Sequence, residues 1–227
     1  TKRYDAKTAV DDLSFDAAPG EIVAVVGPNG AGKSTTFLCL AGLVRPDAGT
    51  IRFEGARLGP DRGRTVALIP ETPDVFPLLT VAEHLAFVAA LTQQPAGWKV
   101  RADALLERLG MTAERDTLGH TLSKGMRQKT LLAATVLGGS PVLLLDEPMI
   151  GLDPLGQREL RAIVGDLRAA GHVILVSTHL LESAAAMCDR MLVIDRGRLV
   201  AQGSVDELRA RRGDASIEDV FLAITGR

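Results

Sequence analysis

Nine residues constrain this chain more than any others: Gly27-Pro28-Asn29-Gly30-Ala31-Gly32-Lys33-Ser34-Thr35 satisfies G-x-x-x-x-G-K-[ST] at every position. Glycine at 27, 30 and 32 permits φ > 0 and lets backbone N–H groups approach anionic oxygens that a Cβ would hold away. Lys33 reaches the β- and γ-phosphates of a nucleoside triphosphate, and the Ser34 hydroxyl is a ligand for Mg²⁺. The flanks agree: Glu21 to Val26 is an apolar, β-branched run of strand length, and Ser34 to Ala41 reads as a helix whose N-terminus faces the anion.

The chain has 227 residues, enough for one large domain or a domain with a subdomain. Its 26 basic and 28 acidic residues create no strong field, so no nucleic-acid partner is expected. Cys39 and Cys188 lie in apolar helical patterns without metal-ligand spacing and read as buried thiols of a reducing compartment. No apolar run approaches the ~18–20 residues that span a bilayer, and no signal-peptide pattern opens the chain, so any membrane role is expected to be peripheral. The chain opens at Thr1 without Met, and the expectation is of a first strand either trimmed or left out of the numbering.

Near the N-terminus, Val10 to Phe15 alternates at Leu13 and Phe15 as a half-buried strand does, ending at Pro19-Gly20. Tyr4, upstream, can stack on a nucleobase or sit as a surface or core-edge ring; the residues alone leave both open. Thr50 to Gly55 alternates as a strand and turn, giving the first 70 residues antiparallel β character. Val66 to Ile69 is a short strand ending in the turn-rich Pro70-Glu71-Thr72-Pro73-Asp74. The pattern then turns helical. Thr80-Val81-Ala82-Glu83 has capping-box form before a helix to about Gln93, and Arg101 to Leu109 is a second amphipathic helix.

Residues 74–140 therefore read as a helical insertion within an α/β domain. Its last helix follows Leu122-Ser123-Lys124-Gly125-Met126-Arg127-Gln128, with Ser123 as N-cap. Val142 to Leu145 is a continuous apolar strand of the kind found at the centre of a parallel sheet, and it ends in Asp146-Glu147. Asp153-Pro154 starts a helix as N-cap and first-turn proline. Val173 to Ser177 is another buried strand ending in Thr178-His179. Residues 191–201 read as a hairpin across Asp195-Arg196-Gly197, followed by helices from Ser204 and Ile217.

Carboxylates at the end of a central strand lie where open α/β sheets bind ligands. Asp146 is expected to orient Mg²⁺ or its waters, and Glu147 to polarise a water in line with the γ-phosphate. His179 ends a neighbouring strand and can reach the same phosphate.

Over nearly its full length the chain resembles the nucleotide-binding subunits of ABC transporters. The resemblance is carried by the phosphate loop 27–35, the signature 122–128, the strand-acid motif 142–147, the loop Gly151-Leu152-Asp153 and His179. It implies one ABC ATPase domain with a P-loop NTPase core and a parallel central sheet. Residues 1–73 and 141–227 would form that core with its N-terminal antiparallel β subdomain, and 74–140 the helical subdomain. It implies ATP and Mg²⁺ as cofactors, with Ser34, Glu71 and Asp146 toward the metal and Glu147, His179 and Lys33 catalytic. Nucleotide contacts would come from Tyr4, Val10, Pro28, Asn29, Gly30, Ala31, Gly32, Lys33, Ser34 and Thr35. In such proteins two domains pack head to tail, so Ser123, Lys124, Gly125 and Asp153 would complete the partner copy's site.

A single copy without a membrane span implies a homodimer or a pair with a similar subunit. It also implies separate permease subunits and a place on the cytoplasmic face of the cell membrane. The signature, the Gly151 to Pro154 loop and the ending 217–222 are similar to export ATPases of the drug and natural-product resistance kind; the alternative is a soluble, non-transport ABC ATPase such as a cluster-assembly scaffold. One position departs from the family pattern: Glu71 stands where Gln is usual, which implies slower hydrolysis or stronger dependence on metal.

Overall fold

A computed structural model describes residues 1–210 and 216–226. The first elements are an antiparallel pair, β1 (Lys2–Tyr4) and β2 (Lys7–Val10). The expected strand through Leu13 and Phe15 is absent. Asp12 sits at φ +48°, which breaks the pleat, and the N–H of Asp11 bonds instead to the carbonyl of Gly197. Leu13 and Phe15 still pack, half-buried, on the apolar cluster beneath them.

β3 (Ile22–Val26) leads through the glycine loop to α1 (Lys33–Ala41). β4 (Arg52–Phe53) and β5 (Ala56–Arg57) form a two-residue hairpin, with Glu54 and Gly55 both at positive φ as a type I′ turn requires. β6 (Val66–Ile69) precedes the helical stretch of α2 (Val81–Leu91), α3 (Trp98–Arg108) and α4 (Lys124–Gly138). The capping box of α2 is complete: the Thr80 side chain accepts from the N–H of Glu83, whose carboxylate accepts from the N–H of Thr80. α3 starts three residues before the expected Arg101, and a short 3-10 turn at Gly119–Thr121 went unmarked by any pattern.

β7 (Val142–Asp146), α5 (Pro154–Ala169) and β8 (Val173–Thr178) follow, then α6 (Leu181–Ala185), which carries no periodic signal of its own. β9 (Arg190–Asp195) and β10 (Arg198–Gly203) make the hairpin, and α7 (Val205–Ala210) and α8 (Ile217–Thr225) close the described chain.

The central sheet has the order β10-β9-β3-β8-β7-β6, parallel except for β10 at its edge. Its inner strands β3, β7 and β8 are buried on both faces, which is why they read as unbroken apolar runs, whereas the edge strand β10 alternates. Ile22, Ile69, Leu145, Ile174 and Val176 face a cluster built with α2 to α5. Val23, Val25, Leu144 and Leu175 face the opposite side, where Phe37 of α1 is fully buried. Ala24, Val26, Met191 and Val193 pack against α6 to α8.

Candidate functional site

Because β3, β6, β7 and β8 are parallel, their C-terminal ends share one edge of the sheet. The register pairs Val26 with Thr178, Asp146 with Ser177, and Ile69 with Leu145. The residues that follow each strand, Gly27, His179, Glu147 and Pro70-Glu71, are thereby delivered to one place. There a cleft of about 480 Å³ is lined by Asn29, Gly30, Gly32, Lys33, Ser34 and Thr35 of the loop, with Glu71, Asp146, Glu147 and His179. Tyr4, Lys7 and Ala9 line it as well.

The loop glycines serve different needs. Gly30 and Gly32 have φ +79° and +107°, which only glycine adopts easily. Gly27 has no positive φ; a Cβ there would stand 2.2 Å from the carbonyl oxygen of Ile194, so its glycine answers close packing against the end of β9. The ammonium of Lys33 donates to the carbonyl of Gly27 at 2.7 Å and to that of Pro28 at 3.3 Å. Burial pulls Lys33 below the ordinary lysine value, while Glu147, Asp146 and Glu71 oppose that shift.

The two acids are held from one residue. Ser177, fully buried, donates its hydroxyl to the carboxylate of Asp146, and its carbonyl accepts from the N–H of Glu147 at 3.0 Å. Glu147 takes φ +48°, a conformation a non-glycine residue rarely adopts, directly after the last residue of β7. Its carboxylate lies 2.9 Å from Nδ1 of His179. The pair forms a hydrogen bond to an ionised carboxylate in the tautomer that carries its hydrogen on Nδ1. The acid is buried while the imidazole is half exposed. Ser177 and Lys7 were missed by sequence reasoning. Ser177 carried a signal, a hydroxyl inside an apolar strand beside the acids; Lys7 carried none.

Three of the expected nucleotide residues do not line the cleft. Val10 is buried and faces a separate cavity of about 490 Å³ behind α1; its neighbour Ala9 borders the cleft, since alternation in a strand sends adjacent side chains to opposite faces. Ala31 is buried in the core beneath the loop. Pro28 offers its carbonyl, which accepts from the N–H of Ala31 at 3.1 Å. Tyr4 is 43% exposed with the Lys2 ammonium 5.1 Å from its ring centroid.

Ser123, Lys124, Gly125 and Asp153 lie outside the cleft. Ser123 caps α4, its hydroxyl accepting from the N–H of Met126 at 3.2 Å. Asp153 caps α5, accepting from the N–H of Gly156 at 3.1 Å. The two loops are packed together: a Cβ on Gly125 would stand 2.5 Å from the carbonyl of Gly151, and a Cβ on Gly151 would touch the Lys124 chain.

The donors toward a metal are hard oxygens: the Ser34 hydroxyl and the carboxylates of Asp146 and Glu71, all in the cleft. Among the described residues no group of three or more His, Cys, Asp or Glu forms a cage of its own. That donor set fits Mg²⁺, which keeps waters and shares substrate phosphates.

The sequence profile described as ABC transporter matches residues 10–150. The chain is 35% identical to the lipopolysaccharide export system ATP-binding protein LptB of Acidithiobacillus ferridurans, over 97% of this chain and 93% of that one. It is 37% identical to the Nod factor export ATP-binding protein I of Paraburkholderia xenovorans, over 97% of this chain and 74% of the relative. The solved structure of an ATP-binding subunit of an ABC transporter superposes with a TM-score of 0.93 at 34% identity, covering 99% of this chain and 96% of that one.

Proposed function

The chain belongs to the ABC transporter family as an ATP-binding subunit and ATPase, and from that premise we propose that two copies pack head to tail on ATP to power export through separate permease subunits. The observation that carries the reading is the division of the chemistry. The cleft holds the phosphate loop, both acids and His179, whereas Ser123, Lys124, Gly125 and Asp153 lie outside it. One copy thus supplies half of each site. The exposed N-terminus of α4, with its partial positive charge, is suited to the γ-phosphate of a nucleotide held by the partner copy.

Within its own cleft, Lys33 and the loop bind the β- and γ-phosphates. Ser34, Asp146 and Glu71 hold Mg²⁺, which when bound neutralises phosphate charge. Glu147 accepts a proton from the attacking water, and His179 fixes that carboxylate through Nδ1. Tyr4 carries the base.

The permease reading is supported by exposed apolar side chains, Phe76 and Leu78 just after the Glu71 loop and Phe87 on α2. Phe76 and Phe87 meet edge to face at 5.4 Å. Such a patch marks a protein contact. Among the described residues no helix is long and apolar enough to cross a membrane. The export direction draws on the relatives, two of which are export proteins by name.

The test is the ATPase rate per mole of protein as protein concentration rises, with Glu147→Gln as blank. A specific rate that climbs with concentration is expected. A rate that is appreciable and independent of concentration overturns the shared site.

A further inference from the structure

Buried polar atoms without a protein partner are few. Among the described side chains they are Arg127 Nε, Gln128 Oε1 and Arg209 Nε, and two of the three are neighbours in the first turns of α4. Gln128 is 3% exposed. Its Nε2 faces the carbonyl of Pro148 at 3.5 Å, the outer limit of an N–H···O bond. The amide is thus held weakly at one end and not at all at the other. An apolar side chain of the same length would avoid that cost, so the polar group at this place calls for a role that packing does not supply.

Its position suggests one. Pro148 directly follows Glu147, the acid of this copy's own cleft, while α4 begins at Ser123, which faces the other nucleotide of a head-to-tail pair. The loop between is gripped from both helices. Gln157 of α5 donates to the carbonyls of Met149 at 3.4 Å and Leu152 at 3.3 Å, Lys129 of α4 pairs with Asp153 at 3.5 Å, and Gly125 abuts Gly151. Gln128 is the contact from α4 that lies nearest in sequence to the acid.

We propose that Gln128 is a positioning residue that couples the two nucleotide sites. When Ser123 and Gly125 close on the nucleotide of the partner copy, α4 carries the Gln128 amide into full hydrogen-bonding distance of the Pro148 carbonyl. The fixed φ of the proline passes that constraint to Glu147. The inference rests on the head-to-tail reading above.

Gln128→Met keeps the volume and removes the amide. Expected are a kcat lower by about 10- to 100-fold, a KM for ATP within about twofold, and a Hill coefficient falling toward 1. The melting temperature should hold or rise, because an unpaired buried acceptor has gone. A purely structural role would instead lower melting temperature and nucleotide affinity together, and that result, or an unchanged kcat and Hill coefficient, overturns the proposal. Size-exclusion of Glu147→Gln with ATP separates the two readings. A pair that forms there, beside unchanged Gln128→Met kinetics, sinks the coupling alone; no pair sinks the head-to-tail arrangement and the coupling with it.

Discussion

The phosphate loop and the signature each lead into a helix N-terminus, yet the two termini are built in opposite ways. α1 is capped by Gly32 in a left-handed conformation with no side-chain hydrogen bond, whereas α4 is capped by the Ser123 hydroxyl. Lys33 behind the first is buried and tied to two carbonyls; Lys124 behind the second is exposed. The first terminus leaves its amide donors to a ligand and surrounds them with preset charge, so it carries binding. The second is already capped by its own side chain, and on the head-to-tail arrangement proposed above it would serve the partner copy's site rather than its own.

Substitutions should separate these roles. The largest effect is expected from Glu147→Gln, with kcat down about 1,000-fold and ATP affinity kept, since general-base removal falls within 10²–10⁴; phosphate release and nucleotide titration check it, and near-normal turnover would contradict the assignment. Gly125→Ala comes next. Its methyl meets the Gly151 backbone, which cannot rotate away, and kcat should fall about 100-fold while ATP binding to the isolated chain is unchanged. Weakened binding by the isolated chain would erase the distinction between the two termini.

Ser177→Ala removes the hydroxyl that holds Asp146 and should cost about 1–3 kcal/mol, read as a lower melting temperature together with a higher Mg²⁺ requirement. The smallest effect is that of Glu71→Gln. Two carboxylates ~6 Å apart would repel by about 2–3 kcal/mol at an effective dielectric of 20, but Glu71 is exposed and solvent screens most of it. A two- to fivefold rise in kcat, or a matching fall in the Mg²⁺ needed, is expected, and identical Mg²⁺ titrations of the two proteins would remove Glu71 from the metal's surroundings.

Much of both termini was legible in the residues. Ser123, Asp153, Thr80 and Ser204 announce helix starts because capping is a bond between a side chain and a backbone only two or three residues ahead. The central strands were readable as well, because burial on both faces forces an unbroken apolar run. Leu13 and Phe15 misled for a related reason: alternation reports which side chains are buried, and they are, but it says nothing about whether the backbone finds a ladder. Val10 misled because adjacent strand residues point oppositely, and one step along the chain decides between cleft and core.

What the sequence by itself determined is therefore local: a loop able to cradle phosphate, acids after an apolar strand, and capped helices at known positions. Tertiary structure alone decided that Ser177 holds both acids, that Glu147 turns through φ +48°, that Gly27 yields to the Ile194 carbonyl, and that Gln128 stands between α4 and Pro148. Each joins segments 20 or more residues apart, or answers a register set by neighbouring strands. Spacing along a chain encodes bonds within a turn or two, whereas contacts across a sheet exist only once the strands have chosen their partners.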